Sequence, residues 1–65
     1  MCAMSNDPAL ISFYAYDYIA RYGEHAESVA MHQMMDYMEE AMVAEAGLWM
    51  AVVHEIRAIQ SNVLQ

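Results

Sequence analysis

A chain of 65 residues holds one domain, and folding at this size removes only about 60% of the unfolded surface from water. Nine acidic residues against two basic ones give a formal charge of −7, which disfavours direct binding to a nucleic-acid backbone or an anionic membrane surface, since both need Lys and Arg. The single cysteine, Cys2, excludes an intrachain disulfide, and a free thiol suits a reducing compartment, so a cytoplasmic setting is expected.

Hydrophobic residues make up 60% of the chain, eight Met and five Tyr among them, more than a small globule hides. The excess predicts a residual apolar patch, and such patches mark interaction surfaces. Without a disulfide, added stability has to come from a metal, from self-association or from a partner. The N-terminal run Met1-Cys2-Ala3-Met4-Ser5-Asn6-Asp7 has no positive region and no long apolar stretch, so neither a signal peptide nor a membrane span is expected.

In chain order, Ser5-Asn6-Asp7-Pro8 reads as a helix start. Asp7 caps free backbone N–H groups, and Pro8 at the first helical position loses no hydrogen bond. The first helix is predicted over 8–22, ending at Gly23, with Arg21 in its last turn against the negative end of the dipole. Tyr14, Tyr18 and Tyr22 recur every fourth residue as one stripe, beside a stripe of Ile11, Ala15 and Ile19. Phe13 and Tyr16 lie away from the Ile stripe, so aromatics surround much of this helix.

A second helix is predicted over 24–41. Glu24 and Glu27 fall in its first turn, and Ala26, Val29, Ala30, Met34, Tyr37, Met38 and Ala41 follow the amphipathic template. Met31, Met35, Met38 and Met42 form a stripe beside it. Its end is either a turn near 40–44 or a break at Gly47. The first is preferred, because Leu48, Trp49, Val52, Val53, Ile56, Ile59 and Val63 form one stripe that extends back to Glu45. The third helix is then 45–62, with Trp49 as a core anchor. Gly47 lies inside it, at a cost of about 1 kcal/mol that a close helix crossing would offset.

Chemistry-bearing groups are few. His32 and Asp36 stand four apart on one helix with His25 a heptad earlier, so a metal-binding helical bundle is an alternative reading, although no Glu-x-x-His pair is present. Cys2 has no basic activator nearby, and Ser12 and Ser28 have no ordered His and acid partners in sequence, so no enzyme is expected. The Met stripe reads as core or adaptable interface; neither a cofactor nor a metal is assigned.

Ile19-Ala20-Arg21-Tyr22-Gly23-Glu24-His25-Ala26, followed by Trp49-Met50-Ala51-Val52-Val53-His54-Glu55-Ile56, resembles short helical proteins of unknown function common in alphaproteobacteria. The matching positions are Tyr22-Gly23-Glu24 and Ala26, then Trp49, Val52 and Ile56. Glu55 stands where that pattern has Ala, and its Gly-Asp turn between the last two helices is missing. The resemblance implies a three-helix unit in a bacterial cytosol.

The expected molecule is one all-α domain over 1–65, a small antiparallel three-helix bundle completed by self-association. Its expected role is a protein–protein interaction or regulatory module that binds a partner protein, as a homodimer or within a larger complex, through an apolar surface of Tyr14, Tyr18, Tyr22, Met31, Met35 and Met42. A further alternative is a phage-type acidic inhibitor in which Asp17, Glu24, Glu27, Asp36, Glu39 and Glu40 mimic a nucleic acid before a nucleic-acid-binding protein.

Overall fold

The computed structural model describes residues 7–63, so the readings of Cys2 and of Ser5-Asn6 fall outside the described residues. Every regular element among the described residues is helical, which makes the chain all-α. The path is two continuous helical runs. The first joins α1 (Pro8–Tyr22) to α2 (Ala26–Glu39) through a single 3-10 turn, Gly23–His25, and the second is α3 (Val43–Val63).

This corrects the expectation of three separate antiparallel helices. A straight helical run over residues 8–39 would be about 48 Å long at 1.5 Å per residue, whereas the longest extent of the molecule is 36 Å. The first run is therefore bent, and Gly23 is where it bends. At φ 58 and ψ −125 its backbone lies where side-chain-bearing residues are strained, while its N–H donates to the Ile19 carbonyl to close α1. The chain then winds straight into the 3-10 turn, which takes the first two residues of the expected 24–41 helix. Gln60 on α3 fastens the bend, its Nε2 donating to the Gly23 carbonyl at 2.9 Å.

At the other end, α1 starts as its sequence dictates. The Asp7 carboxylate accepts from the Ala9 N–H at 3.0 Å, and Pro8 opens the helix. Replacing Asp7 by Ala is expected to lower unfolding stability by about 1 kcal/mol, read as a shift of the urea midpoint with unchanged slope.

The turn after α2 has a defined chemistry. The Met42 N–H donates to the Tyr37 carbonyl at 2.9 Å and the Ala41 N–H to the Met38 carbonyl at 3.0 Å, the paired bonds of a Schellman cap. Ala41 occupies the position that glycine usually takes and carries φ 60. The expected 24–41 helix accordingly stops at Glu39, and the expected 45–62 helix begins at Val43 and runs to Val63.

The long third helix is the spine of the packing: it meets both α1 and α2 more extensively than they meet each other. Its Trp49, Val52, Val53 and Ile56 are buried against Ala15 of α1 and Ala26 and Ala30 of α2. The pattern is large on small. Methyl side chains on the two flanking helices let the bulkier α3 residues approach their backbones, as close-packed interiors require. Among the described residues no polar side chain is buried, so the core there rests on apolar packing.

Candidate functional site

The aromatic stripe of α1 does not stand free. The Tyr14 and Tyr18 rings each lie 5.1 Å from the Trp49 ring, tilted by 39° and 46°, and both Tyr are half-buried against the core. Tyr22 stacks edge-on to Tyr18 at 5.1 Å and is partly open to solvent. What α1 exposes instead is Phe13 and Tyr16, 63% and 58% accessible, on its far side. The register explains the difference. Tyr14 and Tyr18 share a face with Ala15 and Ile11, which points to α3, and Phe13 and Tyr16 are rotated out of it.

Among the methionines, Met31 packs half-buried against the core, whereas Met35 and Met42 are exposed. The expected surface of Tyr14, Tyr18, Tyr22, Met31, Met35 and Met42 leaves out three exposed residues of this face. Met38, which belongs to both the amphipathic stripe and the Met stripe, is 56% accessible; Val43 and Met50 are 78% and 47% accessible. Met38, Val43, Ala46, Gly47 and Met50 line a groove of about 290 Å³ between α2 and α3. On α3 its wall is Val43, Ala46, Gly47 and Met50, the i, i+3, i+4, i+7 spacing by which one helix receives another. That spacing was legible in the sequence, but the stronger stripe through Trp49 and Ile56 lies on an adjacent side of α3 and dominates its apolar pattern.

Gly47 has a different role from the one expected. No close helix crossing explains it, because a side-chain carbon built at Gly47 would meet nothing within 4 Å. The glycine lies in the wall of the groove, and the missing side chain widens it.

The electrostatics of this end of the molecule are one-sided. Asp36, Glu39 and Glu40 are exposed around the C-terminus of α2, and no basic residue stands in its last turn to meet the negative dipole end. Both arginines are engaged elsewhere: Arg21 pairs with Asp17 at 3.2 Å, and Arg57 donates to Glu27 from Nε at 2.9 Å and Nη2 at 2.6 Å. Being exposed, these pairs contribute little stability. They also take Asp17 and Glu27 out of the proposed nucleic-acid-like array, leaving Glu24 at one end of α2 and Asp36, Glu39 and Glu40 at the other.

His25, His32 and Asp36 are all exposed. Among the described residues no group of three or more His, Cys, Asp or Glu side chains is arranged to hold a metal ion. No helix among them is long and apolar enough to cross a membrane.

Among the described residues, the fold shifts the titration of Tyr18. Burial, followed by the charge of neighbouring Tyr22, pushes the Tyr18 phenol above its ordinary value of 10.0. The folded chain therefore holds this proton more tightly than the unfolded chain does. Its stabilising effect is full below pH 10.0 and is lost as pH rises through the folded value. In melts followed across alkaline pH, Tyr18→Phe is expected to lose less Tm above that pH than the parent chain. A parallel decline in both would contradict this.

Comparison of the chain with protein-family models, with curated proteins and with solved structures finds no match.

Proposed function

We propose that this chain is a small protein–protein interaction or regulatory module whose working surface is the methionine face of α2 and α3. One observation supports this above the others: an apolar groove, lined by Met38, Val43, Ala46, Gly47 and Met50 with no ionisable side chain, lies open on a folded chain. Methionine suits such a role because its unbranched, polarisable side chain adapts to the shape it meets. The Tyr part of the expected surface moves to Tyr22, with Tyr14 and Tyr18 acting beneath it as support for Trp49.

The reading is of a binding protein rather than an enzyme, since the groove offers no acid, base or nucleophile. We assign it to the cytoplasm on the lone cysteine and on its resemblance to short alphaproteobacterial helical proteins. Its partner is a second copy or a subunit of a larger complex.

Affinity capture from the native cell tests the reading, using the parent chain beside the double variant Met38→Glu, Met50→Glu. Both changes are at exposed positions, so the variant is expected to melt within a few degrees of the parent. A protein retained by the parent and lost by the variant supports the proposal. Identical capture by both contradicts it.

A further inference from the structure

The groove reading leaves its occupant open, and charge decides between the candidates. A second copy of this chain would bring −7 against −7. Each copy would also add exposed Asp36, Glu39 and Glu40 to a surface that has no lysine to balance them. Like charges brought together at an interface cost free energy and slow encounter. The chain has no lysine, and its two arginines are already paired with Asp17 and Glu27. Neither arginine lines the groove.

Resting on the interaction reading above, we infer that the groove takes a cationic amphipathic helix from a different protein. The occupant's apolar stripe lies along Val43, Ala46, Gly47 and Met50, and its Lys or Arg side chains reach the carboxylates at the end of α2. Three features of the surface converge on this. The α3 wall has the spacing of a helix-receiving ridge, and at Gly47 it carries no side chain and borders open space. Met35 and Glu39, both exposed, stand one turn apart on α2, which sets an apolar side chain beside an acidic one on the helix that carries Met38. The C-terminus of α2 gathers three carboxylates at the negative pole of a helix with no basic residue to offset them, a local conflict that an incoming cation relieves. A helix with an apolar stripe and basic flanks answers the groove and the charge together.

The probe is a synthetic peptide of Leu, Ala and Lys, about 14 residues long so that helix is attainable, with every Leu on one face. Two controls accompany it: a scrambled peptide of the same composition and a peptide with Glu in place of Lys. Binding is followed by calorimetry, and the site by the methyl signals of isotopically labelled Met38 and Met50. The amphipathic Lys peptide is expected to bind, to shift those two methyl signals, and to weaken as salt rises. Affinity is expected to fall about tenfold for the scrambled peptide and about tenfold for Gly47→Leu, which fills the groove without changing charge. The variant Phe13→Ser, Tyr16→Ser is expected to bind as the parent does. Equal binding of scrambled and amphipathic peptides, or no loss in Gly47→Leu, overturns the inference. Equal binding of the Glu and Lys peptides overturns the cationic assignment and leaves the interaction reading standing. A dimer by light scattering that Met50→Glu converts to monomer overturns it in favour of a second copy.

Discussion

Trp49→Ala is expected to abolish cooperative unfolding at ambient temperature. Trp49 is 7% accessible and is the largest residue of a core whose other buried members are Ala, Val and Ile. It alone bridges the aromatic face of α1, with Tyr14 and Tyr18 both 5.1 Å from its ring. Truncating a buried Trp costs about 3–5 kcal/mol. A domain of this size has roughly 3–10 kcal/mol in total, at 0.05–0.15 kcal/mol per residue. The loss is therefore comparable with everything the fold holds. Trp49→Phe keeps a ring against both tyrosines and is expected to melt cooperatively at a lower temperature. Circular dichroism melts of the three chains check the ordering; a Trp49→Ala chain melting within a few degrees of the parent would remove Trp49 from its central place.

Exchanging a glycine and an alanine gives the largest expected gain. Ala41 sits at φ 60 in the cap that ends α2, a conformation glycine adopts freely and alanine adopts at a cost of about 1 kcal/mol. Gly47 sits inside α3, where glycine costs about 1 kcal/mol relative to alanine, and where an added methyl meets nothing within 4 Å. Each residue occupies the position that suits the other. Ala41→Gly and Gly47→Ala are each expected to add about 1 kcal/mol, and together about 2 kcal/mol if they act independently. In a domain this small that raises Tm by roughly 4–8 °C per substitution. The two gains have different consequences for binding. Ala41→Gly is expected to leave it unchanged, whereas Gly47→Ala narrows the groove, so stability rises as affinity falls. A destabilised Gly47→Ala chain would show that the glycine serves the fold itself.

How much of this was legible depended on whether a residue announces its own backbone. Asp7-Pro8 and Gly23 did so, because a capping carboxylate, a fixed φ and a positive φ are properties of single residues. The end of α2 was obscure for the opposite reason. Its cap uses Ala41, which carries no mark of a left-handed conformation, while Gly47 carries that mark and stands in mid-helix. The face of α1 that turns inward was ambiguous because aromatic residues surround the helix. Only the position of Trp49 on another helix selects Tyr14 and Tyr18 over Phe13 and Tyr16. The groove needed two helices at once: Met38 and Met50 are separated by a turn in sequence and meet through the pairing of α2 with α3. An apolar excess was readable from composition, and its location was not.

Methionine oxidation tests the central claim, that the α2–α3 face is open in the folded chain, without reference to any partner. Brief peroxide treatment followed by mass spectrometry reports the rate at each Met separately. Met35, Met38 and Met50, each about half accessible, are expected to oxidise several-fold faster than Met31 and Met34, which pack against the core. Met38 and Met50 oxidising as slowly as Met34 would mean that the face is closed, and the account would fail with it.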